Sequence, residues 1–186
     1  MNDTMSSHSE ANLLVAESKR SRRRRATRRI HRCTDRAVHL VDADNLIGDP
    51  TTTDLAIIRD TFDRYREASG YRAGDHVVIA TGRNGLHVLQ VELAWPGASY
   101  RRRKGEDGAD LELLEEVRWI ADTSRYSRAV IGSGDRIFIS AYQDLYGAGL
   151  DVTVVAHHRK LARPLASVAH GHISYLGSSR AGARMN

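Results

Sequence analysis

The segment Ala37–Asn45 reads AVHLVDADN, a mostly apolar run of β-type residues that leads into a carboxylate at Asp42. The segment Ala129–Asp135, AVIGSGD, repeats this arrangement, with an apolar run followed by a polar turn that ends in Asp135. Short Val- and Ile-rich runs bounded by turn residues are typical of buried strands. In an open parallel sheet the carboxyl ends of the strands form the ligand crevice, near the point where the strand order reverses. We therefore expect Asp42 and Asp135 to lie at one edge of one sheet.

Apolar runs and helical patterns alternate along the chain after about residue 35. Predicted strands lie at 37–42, 76–81, 98–101, 128–133, 151–156 and 172–176, and predicted helices at about 53–69, 84–94, 110–123, 137–148 and 160–169. Such alternation with short connections implies right-handed crossovers and a parallel sheet covered on both faces. The sequence therefore predicts an α/β fold, a parallel-sheet three-layer α/β/α sandwich. It contains no GxGxxG or Walker loop, which argues against dinucleotide-binding and P-loop folds.

The net charge of +5 is concentrated in one segment. Residues 19–32 hold nine Lys or Arg and no acid, whereas residues 33–186 sum to −1. We expect residues 1–35 to form a disordered basic arm, residues 36–177 one domain and residues 178–186 a short flexible tail. Such an arm adds salt-dependent, sequence-independent affinity for RNA or DNA. A solvated segment without a role is the alternative interpretation.

The remaining bulk features predict a cytoplasmic protein. The single cysteine, Cys33, excludes an internal disulfide and a thiolate cluster for zinc. No run approaches the ~18 apolar residues that a membrane helix needs, and the N-terminus lacks the apolar region of a signal peptide. We therefore expect a reducing environment and no membrane partner.

A third acid, Asp110 in Gly108–Leu111, is expected to open a helix and to lie on its inward stripe with positions 114, 117 and 121. In a doubly wound fold, helix N-termini lie at the same edge as strand C-termini, so Asp110 should approach Asp42. Three carboxylates in one place repel strongly unless a divalent cation lies between them. The sequence thus indicates metal-dependent chemistry on phosphate, with turn or helix capping as the alternative for each acid.

Other polar residues near these acids are candidates for supporting roles. Asn45 can hold a water, a phosphate oxygen or the Asp42 carboxylate, and Ser133 offers a hydroxyl to a phosphate or a water. Asp44 is expected to face solvent. Phosphate-binding cations are expected in the basic run that contains Arg102, Arg103 and Lys104; a solvated edge is the alternative.

These segments together resemble the NYN domain family, PIN-like nuclease relatives that include LabA-like proteins. Val41–Leu46 resembles the family's D-x-x-N opening, Lys104–Leu111 its K-G-x-D helix start with three extra residues, and Ser133–Phe138 its S-G-D-x-D-F segment. The resemblance covers about residues 36–176. It implies a PIN-like α/β/α sandwich and Mg²⁺- or Mn²⁺-dependent cleavage of RNA, with Asp42, Asp110 and Asp135 as the acidic site and Asn45 as its helper. In this chain, Ile137 replaces the second acid of the S-G-D-x-D-F segment.

Two other functions stay open. A catalytically weak or inactive RNA-binding module is consistent with Ile137 and with the basic arm. A phosphatase of the haloacid dehalogenase type is suggested by Asp42-Ala43-Asp44, although that family expects a hydroxyl residue where this chain has Leu46 and an acid where it has Ile139. RNA is the expected partner, and a homodimer is an open option.

Overall fold

Six parallel strands form one sheet in the order β3-β2-β1-β4-β5-β6. The computed structural model describes residues 35–48, 54–82, 86–105, 107–123 and 125–177. Its strands are β1 (Ala37–Asp42), β2 (His76–Thr81), β3 (Ser99–Arg102), β4 (Arg128–Gly132), β5 (Asp151–Ala156) and β6 (Ile173–Tyr175). This arrangement confirms the predicted parallel sheet, and it places the reversal of strand order between β1 and β4.

Helices cover both faces of this sheet. They are α1 (Ala43–Ile47), α2 (Leu55–Ser69), α3 (Leu86–Ala94), α4 (Gly108–Thr123), α5 (Ile139–Gly147) and α6 (Arg163–Ala169), with a 3-10 turn at Arg136–Phe138 before α5. Buried residues of α1, α2 and α3 pack on one face of the sheet, and those of α4, α5 and α6 pack on the other. The three-layer sandwich is therefore confirmed. Within the described ranges, no helix is both long enough and apolar enough to span a membrane.

Alternation along β1 gives each face its own core. Val38 and Leu40 join the core under α4 to α6, whereas Val41 joins the core under α1 to α3. Asp42, two positions beyond Leu40, therefore points to the side of the sheet that α4 covers. This parity brings the carboxylate of β1 and the first turn of α4 to the same side.

The start of β1 is anchored by a buried polar cluster. The Asp75 carboxylate accepts a hydrogen bond from the Ala37 amide at 2.9 Å and lies 3.3 Å from Nε2 of the fully buried His39. The other ring nitrogen of His39 lies 3.2 Å from the Tyr65 hydroxyl. Burial lowers the pKa of His39 below its usual value, although Asp75 opposes the shift. These contacts fix the register of β1, and hence the position of Asp42 at its other end.

Several boundaries differ from the sequence-based prediction. The short helix α1 was not predicted; it forms because the Asp42 side chain caps its first turn. Helix α6 begins at Arg163 rather than 160, because Pro164 favours the first turn of a helix and residues 157–162 form a turn of their own. The expectations for the arm and the tail fall outside the described residues, apart from Asp35.

Candidate active site

The candidate site lies where the strand order reverses. Asp42 is the last residue of β1, and Ser133 directly follows the neighbouring strand β4. The first turn of α4 brings Asp110 to the same edge. Open α/β sheets bind ligands in this crevice, because the connections from the two central strands leave in opposite directions and open a gap between them.

Asp42 is almost completely buried, with 4% of its surface exposed. One carboxylate oxygen accepts a hydrogen bond from the Asn45 amide at 3.0 Å, and the other accepts one from the Ser133 hydroxyl at 3.0 Å. Burial raises the pKa of Asp42 to about 6, and repulsion from Asp44 and Asp135 adds to the shift, whereas the two hydrogen bonds oppose it. The side chain is thus held in one orientation, in a place where negative charge is costly.

Hydrogen bonds tie the turn after β1 to the turn after β4. The side-chain oxygen of Asn45 accepts from the Gly134 amide at 3.1 Å. The fully buried Ser133 hydroxyl donates to Asp42 and accepts from the Asp135 amide at 3.2 Å. Both bonding directions of this hydroxyl are therefore used within the protein, which gives Ser133 a role in orienting Asp42. Contact between Ser133 and a substrate stays a prediction.

Asp110 occupies the first turn of α4 but not the central line of its buried face. The helix begins at Gly108, two residues before the predicted start, and its buried positions are 108, 109, 113, 117 and 120. The predicted inward stripe at 110, 114, 117 and 121 is therefore displaced by about one residue, because the core takes Leu113 and Ile120 rather than their neighbours 114 and 121, which lie ~100° further round the helix. Asp110 is half-buried at the margin of that face.

The Asp110 carboxyl is coupled to the other two acids. Its pKa is raised to about 7, chiefly by burial. Repulsion from Asp42, Asp135 and Asp107 and a hydrogen bond with Asp42 add to the shift. Such coupling requires Asp42, Asp110 and Asp135 to be near neighbours at this edge. Two neighbouring acids with raised pKa values in a crevice, here Asp42 and Asp110, are typical of a functional site.

Asp135 is the exposed member of the three. It caps the 3-10 turn through a hydrogen bond from the Ile137 amide at 3.1 Å. Ile137 stands in place of the second acid of the S-G-D-x-D-F segment, which would be the fourth acid of the site. Its side chain packs against the core on the α4 to α6 side. In this chain, that position contributes packing rather than charge.

The donor set suits a hard divalent cation. The groups available to an ion here are the carboxylates, oxygen donors of the kind that Mg²⁺ and Mn²⁺ prefer. The Ser133 hydroxyl and the side-chain oxygen of Asn45 are already engaged in hydrogen bonds within the protein. Among the residues that the structure describes, no three side chains of His, Cys, Asp or Glu converge closely enough to hold an ion by themselves. Mg²⁺ commonly binds through one or two carboxylates and keeps several waters or substrate oxygens. The residues present therefore fit such an ion.

The sequence suggested that Asp44 faces solvent, but the structure shows its carboxylate bonded within the protein. Its carboxylate accepts hydrogen bonds from the Thr81 hydroxyl and the Gly82 amide, both at 2.8 Å. These bonds join α1 to the end of β2. The sequence gives no sign of this contact, because the partner residues lie 37 and 38 positions away.

The predicted phosphate-binding run is largely paired with acids. Arg102 forms an ion pair with Glu92, and Arg103 forms one with Glu115 at 2.9 Å. Lys104 is exposed and forms no ion pair with any residue of the described ranges. Substrate contact by Arg102 or Arg103 would therefore compete with a glutamate, whereas Lys104 is not held by such a pair.

The loop after β5, whose His157 and His158 follow the strand closely enough in sequence to flank the cleft but are not predicted as ligands, lies on the other side of the crevice. The Lys160 ammonium donates to the backbone oxygen of Asn45 at 2.8 Å, and Nε2 of His157 lies 2.8 Å from the backbone oxygen of Leu46. A Cβ atom on Gly134 would lie 2.5 Å from the backbone oxygen of Lys160, so only glycine allows this approach. The only sequence signal for a role of this loop was its position, directly after β5 at the same sheet edge.

Replacement of Asn45 by alanine is expected to lower the free energy of unfolding by about 1–2 kcal/mol. The substitution leaves the partly buried Gly134 amide without its acceptor, and such a loss costs roughly this much. Urea unfolding followed by circular dichroism measures the change. The exposed Gln143→Ala serves as control and should stay within about 0.5 kcal/mol of wild type. Equal urea midpoints for Asn45→Ala and wild type would show that the bond contributes nothing.

Comparison with known proteins agrees with this architecture. The family model of the NYN domain matches residues 36–176, which is well over half of the chain. No curated protein and no solved structure gives a significant match. The match spans every strand of the sheet and all three acids at its carboxyl edge. The chain therefore belongs to the NYN domain family.

Proposed function

We propose that this protein is a metal-dependent ribonuclease that hydrolyses RNA phosphodiesters, with Mg²⁺ or Mn²⁺ bound among Asp42, Asp110 and Asp135 through one or two of these carboxylates directly and through water for the rest. NYN domains are in general PIN-like nucleases that act on RNA with divalent metals. The observation that carries the proposal is the placement of these acids at the point of strand-order reversal: Asp42 is buried there and held by the Asn45 backbone amide and the Ser133 hydroxyl, and Asp110 stands in the first turn of α4. Burial, with repulsion between the acids in addition, raises the pKa of Asp42 to about 6 and that of Asp110 to about 7. Carboxylates that repel one another in this way lose that repulsion when a cation binds.

The residues around Asp42 would keep the site ready for substrate. The backbone amide of Asn45 and the Ser133 hydroxyl fix the Asp42 carboxylate, so the site needs little reorganisation when substrate arrives. A bound divalent ion would supply Lewis-acid stabilisation of the phosphate and lower the pKa of a water that attacks it. Asp110, which holds a proton more readily than an ordinary aspartate, would release it when the ion enters.

Basic residues on both sides of the crevice would hold the flanking backbone of the RNA. Lys104 lies on the α4 side and Lys160 on the β5 side, and both are exposed. Arg102 and Arg103 are further candidates if phosphate displaces their glutamate partners. The basic segment at 19–32 would add sequence-independent affinity.

The direct test is incubation of the purified full chain with mixed RNA in Mn²⁺ or in EDTA. Discrete cleavage products are expected with Mn²⁺ and intact RNA with EDTA. Restoring excess Mn²⁺ to the EDTA sample should restore cleavage, which separates metal dependence from damage to the protein. Cleavage that persists in EDTA would contradict the proposed chemistry.

A non-catalytic RNA-binding module is the second candidate, and Ile137 favours it. The side chain at this position packs against the core, so the site lacks the fourth acid of the family pattern. This alternative expects RNA to be retained without metal-dependent products. The phosphatase alternative finds less support, because the Asp44 carboxylate is already bonded to Thr81 and Gly82 and Leu46 is buried.

A further inference from the structure

An exposed pair of aromatic side chains, His158 and Tyr175, lies at one end of the sheet edge that carries the candidate site. Tyr175 is the last residue of β6 and pairs in register with Ala156 of β5, and 47% of its surface is exposed. The ring of His158, also exposed, lies with its centroid 5.0 Å from that of Tyr175, and the two ring planes are tilted by 53°, so a base can lie on one ring with the other at its edge. Three strand spacings separate β6 from β1, so Tyr175 stands about 14 Å along the edge from Asp42.

The surroundings of this pair are cationic. Arg159 and Lys160 directly follow His158, and Arg163 begins α6; all three side chains are exposed. None of them forms an ion pair with a residue in the described part of the chain, in contrast to Arg102 and Arg103 on the far side of the crevice. Three cationic residues therefore lie within the segment 159–163 that follows His158, and Lys160 among them donates to the backbone oxygen of Asn45 beside the acids.

A second aromatic pair, in which one ring is buried and the other exposed, serves for comparison. Tyr142 and Tyr146 stack with centroids 6.2 Å apart, and Tyr146 is 63% exposed. That pair lies in the C-terminal half of α5, on the helix that also carries the exposed Asp144. Burial raises the pKa of Tyr142, and the charges of Tyr146 and Asp151 add to the shift. Phosphate would be repelled there, whereas at His158 and Tyr175 it would be attracted.

We propose that His158 and Tyr175 form a stacking platform for an unpaired base of the RNA strand whose backbone passes Lys160 toward Asp42. Bases stack on aromatic side chains only when they are free of a partner strand, so the platform selects single-stranded RNA. The inference rests on the proposed function, because it names the form of RNA that the same site takes.

The test is binding of a fluorescein-labelled single-stranded RNA oligonucleotide to the full chain in EDTA, followed by fluorescence anisotropy. Tyr175→Ala is expected to weaken binding by between about 5-fold and 100-fold, the range for loss of one stacked base. Tyr175→Phe keeps the ring and should bind as wild type does. His158→Ala, at the other half of the platform, should lose several-fold. Tyr146→Ala is the matched control and should change nothing. A salt concentration of roughly 0.3 M suppresses purely electrostatic binding.

A duplex of the same sequence separates stacking from attraction to charge. Wild type should bind the single strand more tightly than the duplex, and Tyr175→Ala should reduce that difference. Unchanged affinity in both Tyr175→Ala and His158→Ala would overturn the platform, as would equal losses in Tyr146→Ala. Because binding is measured without metal, wild type that binds but never cleaves would end the proposed nuclease activity and leave the platform in place. Normal cleavage by wild type, together with unchanged RNA binding by Tyr175→Ala, would support the nuclease activity and overturn the platform.

Discussion

Asp42→Asn is expected to reduce Mn²⁺-dependent cleavage of single-stranded RNA by at least roughly 10²- to 10³-fold. The substitution removes the most buried charge of the acidic cluster while keeping the size of the side chain. An amide in this place still accepts the hydrogen bond from Asn45, so α1 keeps its cap and the fold should be retained. Product formation on denaturing gels measures the activity, and circular dichroism checks the fold.

Asp122→Asn is the control for this experiment. Asp122 is an exposed acid in the last turn of α4, the helix that carries Asp110 at its other end. The Asp122→Asn variant should cleave RNA at the wild-type rate. Equal Mn²⁺-dependent activity in Asp42→Asn and wild type would remove Asp42 from the site and with it the proposed chemistry.

The same Asp42→Asn substitution is expected to raise the free energy of unfolding of the metal-free protein by roughly 2 kcal/mol at pH 8. The pKa of Asp42 rises from 3.8 to about 6 on folding, chiefly through burial. A shift of this size corresponds to about 3 kcal/mol of folding free energy lost by the charged carboxylate at high pH. Asparagine avoids that loss but leaves the Ser133 hydroxyl without its acceptor, which costs about 1 kcal/mol.

The pH dependence has a definite sign. Between pH ~4 and ~6 the folded state binds more protons at Asp42 than the unfolded state, so wild type loses stability as the pH rises through this window. The raised pKa of Asp110 acts in the same direction, whereas the lowered pKa of His39 acts in the opposite one. The informative quantity is therefore the difference between variant and wild type, from urea unfolding in EDTA at pH 4.5 to 8. It should grow with pH; a constant difference would contradict the raised pKa.

The order of elements was predictable because it depends on local patterns. Short β-type runs, several of them rich in Val and Ile, predicted all six strands. Their spacing predicted the helical crossovers, which is enough to define a parallel sheet covered on both faces. Asp42 and Asp135 were predictable as edge residues for the same reason, since each follows an apolar run. The helix starts were less predictable: α4 begins at Gly108, where a Cβ atom would lie 1.9 Å from the backbone oxygen of Arg103. That constraint comes from chain packing, which periodicity does not report.

The sequence by itself determined the alternating α/β architecture, the membership of the NYN family and the identity of the acids at one sheet edge. Only the tertiary structure decided how each polar group is used: Asp44 bonds to the end of β2, Arg102 and Arg103 pair with glutamates, and Lys160 reaches Asn45. Hydrophobic periodicity is local and therefore readable along the chain. Polar contacts join residues as far as 115 positions apart, and the packing of the whole sheet selects each partner.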